Sequence, residues 1–454
     1  MRSMRSLGVH KRLAAVVVLV LMAGAVAGCG GSSSGGSSSG GGAPSSSGGP
    51  VHLVMWWWGD QEAAGLKGFV ADSVAKYEAS HPNVTIDTVL QSTDNLLPNF
   101  AAAAKAKNGP DIEYRWGGIW SLTDVWEDNL APVSDYLPES ETSHYLNASE
   151  DTYDGKLWTA PWYVQPSFPV LYRKDVLESA GVTPPTTWDE LITACSTLRS
   201  KGITPLAGGV KDGWFGGWLF SILGSQSLGS IDDVKQAVTG EKKFTDPQLA
   251  EWWKRLGEMI DANCWNDDIG SQDLYQAQAT WVAGKSAMTV TAGTDVRKFV
   301  DQVGADKVGV MAMPAYGDGV GAGKLGSTSQ TLGITSWSQH KPEAADFIRF
   351  LHTPERLTAF YEATGALPAD DRFDSSQIDV AQVKTLFDMV QQGAPYLENF
   401  IPPDLDGKSV FGGVQLMFAG TKTADEAAAD METEMQRIRT IQPDLIDNFN
   451  KWAK

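Results

Sequence analysis

Three short apolar runs decide the fold of this chain: VHLVMW at residues 51–56, VTIDTVL at 84–90 and DIEY at 111–114. The intervening segments, 68–80 and 95–107, have the composition and spacing of amphipathic helices. Runs of strand length that alternate with helical segments are typical of β-α-β units, whose strands are parallel. The pattern therefore predicts an α/β protein that opens with an open parallel sheet.

Ligands of open parallel sheets bind beyond the carboxyl ends of the strands. This rule predicts that a first group of binding residues lies along one rim of the sheet. The group consists of Trp58, Asp60, Gln61, Gln91 in the loop around Gln91–Asp94, Glu113, Arg115 and Trp116.

Further elements follow along the chain. Strands are predicted at 168–172, 283–291 and 308–312, and helices at 188–200, 247–262 and 342–351. Thr187-Trp188-Asp189-Glu190 has the spacing of a capping box, and so has Thr423-Ala424-Asp425-Glu426 before a C-terminal helix.

The amino terminus has the features of a targeting segment. Four cations precede the apolar run 13–26, which ends in Val26-Ala27-Gly28-Cys29. This ending resembles the bacterial lipobox, which implies a signal peptide over 1–28 and a lipid on the thiol of Cys29. Residues 29–50 then form a Gly/Ser-rich linker. We expect a protein at the extracellular face of the cytoplasmic membrane, attached by its lipid only.

Composition excludes several classes of protein. The formal net charge is −19, and the acids are scattered without a basic stripe, which argues against nucleic acid as a partner. The six His residues are isolated, so we expect no metal and no cofactor. Apart from Cys29 the chain has Cys195 and Cys264, which would form a disulfide or remain two buried thiols.

Tryptophan is unusually frequent, with 17 residues, and two groups lie in Gly-rich segments, at 56–59 and 214–218. A single Trp is most often part of a core, but flat side chains in loops suit stacking on the apolar faces of sugar rings. These groups favour a carbohydrate-binding surface.

The most specific segment is LYRKDVLESAG at 171–181, continued by PTTWDEL at 185–191. It resembles the "LYYNKDLFEKAG…PPKTWDEL" stretch of the extracellular solute-binding proteins for sugars, the family of the maltodextrin-binding protein. Further similar segments follow the family's order. They are Gly109–Ile112, Gly155–Trp162, Ala283–Met288, Lys341–Leu351 and Thr364–Ala369.

The resemblance implies a monomer with two α/β lobes that close over a ligand and deliver it to the permease of an ABC importer. Lobe 1 would hold 51–160 and 315–366, and lobe 2 would hold 165–312 and 368–454. The crossing segments would lie near 161–165, 313–316 and 365–369, and ligand would shift the population from open to closed.

The resemblance also implies binding residues in the second lobe and on the late wall of the cleft. Together with the rim residues named above, these are Trp162, Gln165, Asp212, Trp214, Phe215, Trp218, Asp295, Asp406 and Phe411. Planar side chains would cover sugar rings, while the acids and amides would bind hydroxyl groups.

We therefore expect a sugar- or oligosaccharide-binding lipoprotein that is not an enzyme. A binder of a polyamine, a peptide or another small cation on the same fold is the main alternative, because Trp faces and acids also attract cations. A glycoside hydrolase needs two carboxyls at a defined separation, and no motif marks such a pair. A scaffold or an adhesin fits the two-lobed pattern less well.

Overall fold

The computed structural model of this chain describes residues 49–452. The predicted signal peptide, Cys29 and all of the predicted linker before residue 49 lie outside the described residues. The region Gly49–Lys454 forms one compact unit.

The described region contains 13 strands and 18 α-helices. The strands are β1 Val51–Trp57, β2 Val84–Leu90, β3 Ile112–Trp116, β4 Leu130–Ala131, β5 Thr152–Tyr153, β6 Lys156–Leu157, β7 Thr159–Pro166, β8 Val170–Arg173, β9 Thr204–Ala207, β10 Ser286–Val290, β11 Val308–Met311, β12 Ser327–Thr335 and β13 Leu367–Pro368. The helices are α1 Leu66–Ser80, α2 Thr93–Ala106, α3 Ile119–Trp126, α4 Glu139–Thr142, α5 Lys174–Ser179, α6 Trp188–Ser200, α7 Phe215–Gly224, α8 Asp232–Thr239, α9 Pro247–Asp261, α10 Leu274–Val282, α11 Val296–Val303, α12 Lys341–Leu351, α13 Pro354–Thr364, α14 Ala381–Val390, α15 Pro403–Leu405, α16 Gly412–Phe418, α17 Ala424–Ile441 and α18 Pro443–Trp452.

The larger sheet has the strand order β13-β7-β12-β3-β1-β2, and β4 also pairs with β12. The predicted parallel β-α-β-α-β opening is confirmed, because β1 pairs in parallel with both β2 and β3. The sheet as a whole is mixed, since β12 runs antiparallel to β3, β4 and β7. β12 was not predicted, and it supplies the link between the opening unit and β7.

The smaller sheet has the order β11-β8-β10-β9. The predicted strands at 168–172, 283–291 and 308–312 correspond to β8, β10 and β11. Both β10 and β11 run antiparallel to β8, and β9 runs parallel to β10. The described chain thus contains two main sheets flanked by helices, in an α/β fold, and a small antiparallel pair of β5 and β6.

Local sequence explains several of these elements. In β1 every second side chain, from Val51 to Trp57, is buried, which is the period of a strand. The capping boxes at Thr187 and Thr423 are both formed, so α6 and α17 begin where the sequence predicts. Gly59 has φ 115°, and a Cβ there would lie 2.5 Å from the hydroxyl oxygen of Tyr163, so this turn requires glycine.

The structure joins Cys195 of α6 to Cys264, just after α9, by a disulfide, with the two Cα atoms 4.9 Å apart. Of the two possibilities that the sequence left open, a disulfide or two buried thiols, the structure has the disulfide. Both residues are fully buried in the core around the smaller sheet. Among the described helices, none is both long enough and apolar enough to cross a membrane.

Candidate functional site

A cavity of about 260 Å³ lies between elements of the two sheets, and we call it the central cavity. From the larger sheet and its connections, its wall contains Trp58, Glu62, Thr93, Asp94, Leu97, Trp116, Trp120, Gln165, Thr328 and Gln330. From the rest of the chain it contains Asp212, Trp214, Trp218, Tyr275, Tyr396, Glu398, Asn399 and Phe411.

One wall is built from three tryptophans near the carboxyl ends of β1 and β3. Trp58 lies edge-on to Trp116 with the ring centroids 5.5 Å apart, and Trp116 lies edge-on to Trp120 at 5.9 Å. The Nε1 atom of Trp58 donates a hydrogen bond of 2.9 Å to the hydroxyl of Thr93, which fixes the orientation of the indole. The carboxyl end of the parallel strands therefore presents an aromatic surface to the cavity.

A second aromatic group lies at the start of α7 and on α10. The ring centroid of Trp214 is 5.1 Å from that of Trp218 and 5.8 Å from that of Tyr275. Trp218 is stacked on the buried ring of Phe168 at 4.0 Å. Trp214 is only partly buried, so part of its ring is free to contact a ligand.

Neutral hydrogen-bonding groups complete the wall. Gln165 accepts a hydrogen bond of 3.4 Å from Thr294, and Thr328 donates one of 2.6 Å to Glu150. Asn399 donates one of 3.1 Å to Glu150. Amide and hydroxyl groups held in this way are suited to directional bonds with a polar ligand.

Two carboxyls on the wall are largely shielded from water. Glu62 follows β1 and has only 8% of its surface exposed, and burial, with the nearby Asp295 charge, raises its pKa to about 8. Glu398 lies in the 3₁₀ turn Leu397–Phe400, and burial raises its pKa to about 7. Next to Glu398, the fully buried Asp406 has its pKa raised well above the usual value by burial and by the Glu398 charge. The cavity thus holds carboxyls that retain protons more strongly than carboxyls in water.

Seven of the sixteen binding residues predicted from sequence lie on the wall of the central cavity. They are Trp58, Trp116, Gln165, Asp212, Trp214, Trp218 and Phe411.

Two of the predicted residues pair with each other instead. Glu113 and Arg115 are buried on β3, with Nη1 of Arg115 3.1 Å from Oε1 of Glu113. The guanidinium of Arg115 also lies 3.8 Å from the ring centroid of Phe100. This arrangement satisfies a buried charge within the protein and leaves both groups outside the cavity wall.

Three other predicted residues accept hydrogen bonds from groups of the protein itself. Asp60 accepts a hydrogen bond of 2.8 Å from the backbone N–H of Lys67 in α1, and Gln91 accepts one of 2.8 Å from Asn99. Gln61 is exposed, and its carbonyl oxygen accepts a hydrogen bond from Lys298.

The remaining four lie behind the wall. Trp162 and Phe215 belong to two different hydrophobic cores, and Asp295 pairs with Lys298 at 2.6 Å. Asp406 lies next to Glu398 and is fully buried. Contact with ligand stays a prediction for all sixteen.

Eleven wall residues were not among the predicted ones. They are Glu62, Thr93, Asp94, Leu97, Trp120, Tyr275, Thr328, Gln330, Tyr396, Glu398 and Asn399. Trp120 lies four residues after Trp116, and Glu62 directly follows the rim residues Asp60 and Gln61, so both stand next to predicted residues. Thr93 and Asp94 belong to the loop around Gln91–Asp94, which was predicted to lie on the rim. The other seven come from segments that no local motif marks.

Comparisons with known proteins identify relatives of this chain. The family model described as "Bacterial extracellular solute-binding protein" matches residues 59–356. The melibiose/raffinose/stachyose-binding protein MelE of Bacillus subtilis is 26% identical over 309 residues, which cover 65% of this chain and 69% of MelE. An uncharacterised ABC transporter extracellular-binding protein of Pyrococcus horikoshii is 23% identical over 302 residues, 65% of this chain and 67% of that protein.

A solved chitin oligosaccharide binding protein has a similar fold, with a TM-score of 0.78 over 86% of this chain and 99% of that one. The two sequences are 21% identical, so this likeness concerns the fold. It agrees with the two sheets described above, since the structural neighbours are two-lobed solute-binding proteins.

Proposed function

Because this chain belongs to the bacterial extracellular solute-binding protein family, we propose that it captures a sugar or oligosaccharide in the central cavity and delivers it to the permease of an ABC importer. The observation that carries the proposal is the pair of aromatic groups, Trp58-Trp116-Trp120 and Trp214-Trp218-Tyr275, in one cavity with neutral hydrogen-bonding groups. Aromatic planes cover the apolar faces of sugar rings, and amides and hydroxyls bind their polar edges. The relative MelE, named for three sugars, supports the same ligand class.

We also propose that the two lobes are 51–160 with 315–366 and 165–312 with 368–454. In support, β1 to β6 make no pairs with the smaller sheet, whereas β8 to β11 pair only among themselves. Closure about the predicted crossing segments would bring the two aromatic groups onto opposite sides of a ligand.

The lipid on Cys29 and the monomeric state are further parts of the proposal. Mass spectrometry of the mature amino terminus tests the first: we expect an acylated Cys29, and an unmodified Met1 or a free amino terminus elsewhere would contradict it.

Binding without turnover is also part of the proposal. Sugars or shorter oligosaccharides released on incubation with oligosaccharides would contradict it.

A thermal-shift screen of the full-length protein tests the ligand class. The probes are mono- and oligosaccharides, polyamines, amino acids and peptides. A ligand at about 100 times its Kd adds roughly 2.7 kcal/mol to the free energy of unfolding, which raises the melting temperature measurably. We expect a shift with saccharides. A shift with polyamines or peptides alone would refute the carbohydrate proposal while leaving the family unaffected.

A further inference from the structure

The charged side chains on the wall of the central cavity all have the same sign. Glu62, Asp94, Asp212 and Glu398 line it, and of the wall residues that the structure describes none is Lys, Arg or His. The described wall therefore offers these carboxyls no ion-pair partner of its own. A ligand that carries positive charge would supply one.

Glu62 is the most informative of the four carboxyls. It is more than nine-tenths buried, it lines the cavity, and within the described region its side chain has neither a hydrogen bond nor an ion pair. The nearby cation, Lys298, is held 2.6 Å from Asp295 and also donates to the carbonyl oxygen of Gln61. A buried carboxyl without a partner is unfavourable, and a cationic donor in the cavity would supply the missing partner.

The second carboxyl, Glu398, is partly buried and occupies space that the chain leaves open for it. A Cβ at Gly217, in the first turn of α7, would lie 2.6 Å from Oε1 of Glu398, so a larger residue there would displace the carboxyl. The hydroxyl of Tyr396 donates a hydrogen bond of 3.3 Å to its Oε2 atom. The carboxyl is thus held at the cavity by the surrounding packing.

The aromatic groups suit a cation as well as a sugar ring. Indole and phenol faces attract an ammonium group, most strongly when it is shielded from water. A simple polyamine would use these faces and the carboxyls, but it has no hydroxyl groups that could bond with the amides of Gln165, Gln330 and Asn399 on the wall. A ligand with both an ammonium group and hydroxyl groups uses the whole wall.

We infer that the ligand of the central cavity is a saccharide that carries a protonated amine, with the ammonium group bound near Glu62 and Glu398. The inference rests on the proposed function and specifies its ligand class. Neutral saccharides bind less tightly, because they form no charge-assisted hydrogen bond with these carboxyls.

Binding of such a ligand is coupled to protons. Burial raises the pKa of Glu62 to about 8 and the pKa of Glu398 to about 7, so both carboxyls hold protons for part of the time at neutral pH. An ammonium group nearby favours the ionised form and releases these protons. The other titratable or charged groups near the two carboxyls are Tyr114, Tyr163, Tyr275, Asp295, Lys298, Tyr396 and Asp406.

Isothermal titration calorimetry of the full-length protein tests the inference with matched probes. Glucosamine, galactosamine and the di- to tetrasaccharides of glucosamine are compared at neutral pH with their N-acetylated forms, which have similar shapes but no charge. We expect at least one amine to bind at least about tenfold tighter than its neutral partner, the scale of one added ion-pair contact. Its binding heat should also change with the ionisation enthalpy of the buffer, because protons are released.

Glu62→Gln keeps the size of the side chain and removes its charge. We expect this variant to lose most of the preference for the amine, whereas Glu139→Gln, at an exposed position on α4, should keep it. Equal or tighter binding of the neutral partners throughout would overturn the inference and leave the proposed function standing. Failure of every one of these saccharides to bind would overturn the inference. Binding of spermidine, together with no saccharide shift in the thermal-shift screen, would overturn both.

Discussion

The ionisation of Glu62 should make the stability of the protein depend on pH. This dependence tests the burial of Glu62 without a ligand. The carboxyl is buried, and its pKa rises from 4.5 to about 8 on folding. The folded state therefore binds the proton more tightly than the unfolded chain. The contribution of the protonated carboxyl is fully present below pH 4.5 and is lost as the pH rises through about 8.

The size of the change in the free energy of unfolding follows from the shift in the pKa of Glu62. Between pH 5 and pH 9 the ionisation of Glu62 should lower the free energy of unfolding by about 4 kcal/mol, since one pKa unit corresponds to about 1.4 kcal/mol. Glu62→Gln removes this group and leaves the shape of the site intact. Relative to the wild type, the variant should gain stability at pH 9 and change little at pH 5.

Urea unfolding at the two pH values measures the difference directly. Other buried carboxyls, such as Asp295 and Glu398, titrate in both proteins, so their effects largely cancel in the comparison. Glu139→Gln serves as the control, because its side chain is exposed to water and should not alter the pH dependence. If the stability gain of Glu62→Gln differs by less than about 1 kcal/mol between the two pH values, the reasoning about burial is refuted.

Three further outcomes are expected. Trp214→Ala should weaken binding of a saccharide found by the thermal-shift screen by roughly 1–3 kcal/mol, measured by calorimetry, and unchanged affinity would show that the ring does not contact the ligand. Trp253→Ala should instead lower the free energy of unfolding by about 3–5 kcal/mol in urea, because this ring is fully buried against Trp252; an equally stable variant would be incompatible with that packing. Replacing Cys195 and Cys264 by Ser should cost about 4 kcal/mol in the same assay, as expected for a cross-link between residues 69 apart, and reduction of the wild type should reproduce the loss.

Local patterns predicted much of the fold. β2 spans 84–90 as predicted, and α6 and α17 begin at their capping boxes, because these signals depend on neighbouring residues alone. The strand β12 was missed because its sequence, STSQTLGIT, is mostly polar although the strand is almost entirely buried. Its hydroxyls are satisfied by distant backbone oxygens, Thr331 by that of Arg115 and Thr335 by that of Pro110, and no local pattern reports such partners.

Local sequence patterns also predicted part of the candidate site. Trp58, Trp214 and Trp218 stand next to glycines or in aromatic runs, and the structure brings all three to the cavity. Glu113 and Arg115 had the residue types of ligand contacts, but their side chains pair with each other within β3. Glu398 lies far along the chain, and only the tertiary fold brings it to α7 near Gly217.

The position of β12 in the larger sheet has a consequence for the order of folding. β3 lies between β1 and β12, and its pairs with β12 join residues more than 200 positions apart, such as Tyr114 and Leu332. Until residue 335 is available, β3 is an open sheet edge, and the first third of the chain lacks the neighbour that completes its hydrogen bonds. Pairing over such a distance is slow, because a long loop must close before the contact forms. The opening β1-β2-β3 unit is therefore completed only by a strand that lies more than 200 residues further along the chain.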